Sequence, residues 1–181
     1  MKKILLSLSA LMAFGMLTTA SAASDSVYTE KHLSYSYMDL GGSTGSGVEF
    51  GAKFMVPTTL LNTDKGGLEF GLGFNTEISA VDTQVNNTTN SIIYGVDADL
   101  YTAYTYDKVV LGAGVGYGMT VVADSAYVHG VLFSGSVEYR FTDTFGAKVE
   151  YKGGTMSLET AAGTGPDVDQ SQVIAGITWG F

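Results

Sequence analysis

Glu30, His32 and Ser34 are the side-chain types that acid–base and nucleophilic chemistry uses, and they lie at i, i+2 and i+4. In an extended segment they share one face. Same-face neighbours on a strand stand about 6.6 Å apart along its axis, so the spacing alone does not link them into a relay, and a histidine satisfied by adjacent strands is the more economical reading. His129 is the other histidine, and its same-face neighbours Tyr127 and Val131 supply no serine. Asp167 and Asp169 offer two carboxylates, whereas Ca²⁺ takes roughly six to eight oxygens. The absence of Cys removes disulfides, thiol catalysis and thiolate metal sites. No catalytic residue, cofactor or metal ligand is therefore expected, and Glu30, His32 and Ser34 carry only a distant alternative, a lipid-modifying enzyme.

The elements that must position these residues follow from composition and period. The 181 residues include 24 Gly, are 12% aromatic and only 15% charged, and carry a net charge of −9. Ordinary chains hold about 25% charged residues and about 7% Gly. Such a chain is neither disordered nor a long-helix protein, and its acidity argues against nucleic acid as a partner. Lys2 and Lys3 precede an apolar stretch from Ile4 to about Leu17, and Ala20-Ser21-Ala22 follows. That pattern predicts a cleavable secretory signal over residues 1–22, too short for the roughly 20 residues of a spanning helix. Residues 23–181 then form one domain with no other apolar run of spanning length, so any membrane crossing is made by strands.

Apolar residues recur with period two throughout that domain. Leu68, Phe70, Leu72, Phe74, Ile78 and Ala80 alternate with Glu69, Gly71, Gly73, Asn75, Glu77 and Ser79. The same split appears in Leu33, Tyr35, Tyr37; in Val48, Phe50, Ala52, Phe54, Val56; and in Ile92, Tyr94, Val96, Ala98, Leu100. It continues in Val109, Leu111, Ala113, Val115, Tyr117; in Tyr127, Val131, Phe133, Val137, Tyr139, Phe141; in Phe145, Ala147, Val149, Tyr151; and in Val173, Ala175, Ile177, Trp179, Phe181. Eight strands result. Between them, Leu40–Ser46, Val81–Asn90, Ala123–Ser125 and Gly153–Ser171 read as one set of loops, and Pro57–Gly66, Asp107-Lys108 and Thr142-Asp143 as the opposite set of turns.

With each strand's phase set by its apolar residues, Glu49, Lys53, Glu69, Glu77, Asp97, Asp99, Glu138, Arg140, Lys148, Glu150 and Lys152 all fall on the opposite face. A Lys or Arg facing lipid at mid-bilayer costs about 2–4 kcal/mol, so this sorting predicts ionised groups in a lumen and an apolar face toward lipid. All aromatics of the domain except Tyr28 and Tyr101 take the lipid phase. Tyr35, Tyr37, Tyr94, Tyr127 and Tyr151 lie toward the loops, and Tyr104, Tyr106, Tyr139, Phe141, Phe145, Trp179 and Phe181 toward the turns, as two girdles. The fifth strand turns a side-chain-free strip of Gly112, Gly114, Gly116 and Gly118 inward, either as a watered passage or as room for neighbours such as Tyr101, Glu138 and Arg140. Inward acids outnumber inward bases, so any conducting path would prefer cations. The expected fold is all-β, an eight-stranded antiparallel up-and-down transmembrane β-barrel.

These strands, and the ending Val173-Ile174-Ala175-Gly176-Ile177-Thr178-Trp179-Gly180-Phe181, resemble the small eight-stranded outer-membrane barrels typified by the OmpA N-terminal barrel, OmpX and the opacity proteins. The resemblance implies residence in a Gram-negative outer membrane, contact with lipid and lipopolysaccharide, and Phe181 as the signal read by the outer-membrane assembly machinery. It also implies a non-enzymatic role in envelope structure or surface interaction, with any surface ligand met at the loops and no peptidoglycan-binding half. A narrow cation-leaning pore is the alternative.

Overall fold

The computed structural model describes residues 28–85, 88–90, 92–123, 126–160 and 162–180. The leader expected over residues 1–22 and the terminal Phe181 lie outside them. Nine strands run in chain order: β1 Tyr28–Leu40, β2 Ser43–Thr63, β3 Gly66–Val85, β4 Thr88–Asn90, β5 Ile93–Tyr106, β6 Val109–Ala123, β7 Ala126–Thr142, β8 Phe145–Thr160 and β9 Gly163–Gly180. The short β4 pairs only with the end of β3, Thr83 opposite Asn90. The other eight are antiparallel neighbours in sequence order, and β1 closes the ring by pairing both ways, with Leu33 opposite Phe50 of β2 and Ile177 of β9. A closed ring leaves no open sheet edge, which hydrocarbon would not tolerate.

Local chemistry explains where the strands reverse. Gly41 and Gly42 take φ of 60° and 88°, a left-handed conformation that suits glycine, and Asp39 Oδ1 accepts the Gly42 N–H at 2.8 Å. Asp107 (φ 52°) turns the β5–β6 connection, as short Asp side chains do.

The connections are shorter than the sequence led us to expect, because the strands run on into them. Leu40–Ser46 reduces to a turn at Gly41-Gly42, and Pro57–Gly66 to one at Asp64-Lys65, with β2 continuing through a bulge between Thr59 and Leu61. Strand structure also fills much of Val81–Asn90. Most of Gly153–Ser171 is a β8–β9 ribbon, bulged between Ser157 and Glu159. These ribbons are rich in Ser, Thr, Gly and Asp, so their strands lack the apolar alternation that marks a lipid-facing one. Pro57 falls beyond Met55, the last β2 residue that β1 pairs among the described residues, a position a strand tolerates for proline.

The distribution of exposure is the reverse of a water-soluble protein. Leu72 is 61% and Phe133 60% exposed, whereas Glu49 is completely buried. Among the described residues thirty such large apolar side chains are exposed, which would cost a soluble chain heavily, so the medium around the barrel wall is hydrocarbon. Inside, the buried residues are mostly polar, joined by one apolar cluster.

Candidate functional site in the lumen

Ionised side chains that the strand period places on one face meet across the lumen in a series of contacts. Near the turn-side mouth, Arg140 Nε lies 3.4 Å from Glu138 Oε2, and Thr178 donates to Glu138 Oε1 at 2.7 Å. Lys148 bridges Glu30 and Glu150, the latter at 3.0 Å. Lys53 donates to Asp99 Oδ2 at 2.8 Å and lies over the Tyr101 ring, 5.3 Å from its centroid. Lys152 donates to Glu77 Oε2 at 2.9 Å and Asp97 Oδ2 at 3.1 Å, and Asn75 Nδ2 donates to the same two oxygens at 3.3 and 3.2 Å. Glu49 contacts His32 Nε2 at 3.0 Å and accepts from Ser79 at 3.0 Å and Gln172 at 2.7 Å. Glu69 has no ion-pair partner among the described residues.

Each lysine that serves two carboxylates offsets their desolvation, the condition under which buried charge is tolerated. The contacts are fixed by register: β7 Ser134 lies opposite Lys152 and Glu138 opposite Lys148, which sends two long cations toward acids on β1, β3 and β5. Asn75, Ser79, Gln172 and Thr178 complete the network, although the sequence analysis did not single them out. Their inward phase was visible, but a neutral polar residue on an inward phase carries no charge signal.

Glu30, His32 and Ser34 do not form a relay. Glu30 reaches Lys148 and His32 reaches Glu49, on different strands. The glycine strip is occupied by neighbours: a Cβ on Gly112 would meet Ser136 Oγ at 2.5 Å, on Gly114 Ser134 Oγ at 2.7 Å, on Gly116 Asp99 Cβ at 2.7 Å, and on Gly118 Leu132 Cδ1 at 2.5 Å. Tyr101 lies instead over Gly71. Two small cavities lie among these side chains. One of about 10 Å³ is lined by Lys53, Asn75, Asp99, Gly116, Lys148 and Lys152 among others, and one of about 60 Å³ by Glu30, Tyr101, Gly112, Ser136, Glu138 and Glu150 among others. The first has room for about one water and the second for a few. Asn75 Oδ1 and Asp99 Oδ1 are buried acceptors that meet no described donor.

Above the charges, at the loop-side end, the lumen holds Met38, Leu40, Ile93, Val128, Leu132 and Met156 in one buried cluster, with Leu158 and Val168 packed against it. These are apolar side chains on the inward phase, opposite to the outward Tyr37 and Tyr127 beside them. On the outer wall, Tyr35, Tyr37, Tyr104, Tyr106, Tyr127, Tyr139, Phe141, Phe145 and Tyr151 are exposed, whereas Tyr94 and Trp179 are part-covered. Phe141 stacks near Tyr139 and Phe145, with centroids 5.4 and 5.7 Å away, and Trp179 packs near Phe50 at 6.1 Å. His129 faces outward between Tyr117 and Tyr127, with Nδ1 2.5 Å from the Tyr117 hydroxyl.

A closed ring of eight antiparallel strands, ionised inside and apolar outside, defines a transmembrane β-barrel of the outer-membrane type. Several solved structures align with this chain. Neisserial surface protein A aligns with a TM-score of 0.50 and 13% identity over 86% of this chain and 97% of its own. Ail of Yersinia pestis, solved in complex with the heparin analogue sucrose octasulfate, aligns at 0.49 and 9% identity over 86% and 97%. OprG from Pseudomonas aeruginosa aligns at 0.40 and 15% identity over 86% and 96%. No protein-family model matches the chain, and no curated protein matches it in sequence. At these identities the likeness is one of fold.

Proposed function

We propose that the protein is an integral outer-membrane barrel that contributes to envelope integrity or surface interaction, without catalytic chemistry of its own. The observation that carries this reading is the filled lumen. Ion pairs and amides occupy its middle, two small cavities beside them have room for only a few waters, and an apolar cluster lies over them. The only histidine in the network, His32, is taken up by Glu49, which leaves no assembled nucleophile and base there. The outer wall supplies the lipid contact, with its rings near both ends of the apolar belt.

The loop-side connections, Leu40–Ser46, Val81–Asn90, Ala123–Ser125 and Gly153–Ser171, contain no Lys or Arg, while acids stand at Asp82, Asp124, Glu159, Asp167 and Asp169. A surface ligand met there is neutral or cationic. Lipopolysaccharide phosphates would be approached through bridging divalent ions, because no fixed cation faces them. Recognition by the assembly machinery falls to the last strand and Phe181. Deleting the gene tests the role: raised detergent sensitivity or lost surface adhesion, restored by the plasmid-borne gene, is expected. A deletion strain unchanged in both assays contradicts it.

A further inference from the structure

We propose that the cluster of Met38, Ile93, Val128, Leu132 and Met156 is a hydrophobic gate, and that the pathway it closes is one for small cations; the inference rests on the closed-lumen reading above. The position of the cluster is the first argument. Met38 follows Tyr37, Ile93 precedes Tyr94 and Val128 follows Tyr127, so the cluster lies inside the wall at the height of the loop-side girdle. It draws on β1, β5, β7 and β8 and therefore spans the lumen rather than lining one side of it.

The chemistry of the cluster is the second argument. These side chains offer no oxygen or nitrogen to replace the hydration shell of an ion, and an apolar constriction excludes water and ions together. Immediately beneath, the surroundings change character: Ser36, Gln172 and Glu49 are buried, and Gln172 Nε2 donates to both Ser36 Oγ and Glu49 Oε2. Further in, eight carboxylates (Glu30, Glu49, Glu69, Glu77, Asp97, Asp99, Glu138 and Glu150) share the lumen with Lys53, Arg140, Lys148 and Lys152. An ion that passes the cluster enters a negative field next to water-sized cavities, which favours cations and opposes anions.

The means of opening is the third argument. Gly118 and Gly130 leave the space that Leu132 and Met156 fill, with Gly130 placed so that a Cβ would meet Met156 Sδ at 3.2 Å. Met38 and Met156 are unbranched, with three rotatable bonds each, and so have more rotamers open to them than the β-branched Ile93 and Val128 beside them. The gate can therefore part by side-chain rotation, with the strand ladder intact. A cluster that only stiffened the hairpins would change stability and leave conductance alone.

Single-channel recording of refolded protein in planar bilayers separates these readings. Wild type is expected to show no unitary steps. Met38→Ser combined with Met156→Ser is expected to show steps whose reversal potential in a KCl gradient lies toward that of potassium, and adding Glu77→Gln and Asp97→Asn is expected to shift it toward zero. Should the double serine variant fail to fold, Met38→Cys is refolded as a milder single variant that keeps a sulfur in the cluster and is then given a charged thiol reagent, which wets the gate after assembly; the chain has no other Cys. A wetted, heat-modifiable barrel that stays silent, or one that prefers chloride, overturns the gate while leaving the closed-lumen reading in place. Steps from unmodified wild type overturn both.

Discussion

Lys152 is the residue on which most buried charge converges, since its ammonium contacts both Glu77 and Asp97. Lys152→Met leaves those carboxylates facing each other with only Asn75 between, and removing one partner of a buried pair costs about 3–5 kcal/mol. Urea unfolding of the barrel in lipid vesicles, followed by mobility on unheated gels, should show a lower midpoint of that size; an unchanged midpoint would refute the assignment. Gly116→Val tests the strip. Its side chain would press on Asp99, and overpacking of this kind costs about 1–3 kcal/mol, read as reduced refolding yield beside Ala113→Val on the outer phase of the same strand. Period two assigns Glu77 a face, but it names no partner. That Lys152, 75 residues further on, meets it depends on register between strands, which no local pattern in the chain encodes.

At the scale of strands, the membrane-crossing portions were legible because lipid and lumen impose opposite chemistry on alternate residues. Val115 on β6 illustrates this, flanked by inward Gly114 and Gly116 and paired with Leu100 and Phe133 on its neighbours. Val115→Lys should cost about 2–4 kcal/mol if that site faces mid-bilayer, measured by the same urea titration, whereas Val115→Leu should be nearly neutral. Equal midpoints for both variants would place the side chain outside the bilayer. The ribbons were not legible. In Thr155–Thr160 and its β9 partners, Asp169 and Asp167 accept from Thr155 and Ser157 at 3.0 and 2.9 Å on the outer face, while Met156 and Leu158 belong to the inward apolar cluster with Val168. Alternation there runs in the opposite phase, polar outward and apolar inward, so a reading that takes apolar residues as lipid-facing sees a loop.

At the scale of the whole molecule, one sorting of side chains accounts for the ring, the girdles and the filled interior together. The inward apolar cluster is the departure from it. Met38, Ile93, Val128 and Met156 take the lumen phase, and a reading that equated apolar with outward could not have found them. Their burial shows that the described lumen has two compartments, one polar and one dry.

Adjacent residues on one membrane-crossing strand face opposite media. Val137 is exposed on the outer wall, while its neighbour Ser136 lines the larger cavity. Spin labels at Val137→Cys and Ser136→Cys, each the only thiol in the chain, measure this in reconstituted vesicles through collision with oxygen, which concentrates in lipid, and with a polar nickel complex. High oxygen and low nickel accessibility are expected at 137, and low oxygen accessibility at 136. The reverse order, or equal oxygen accessibility at both sites, would contradict it.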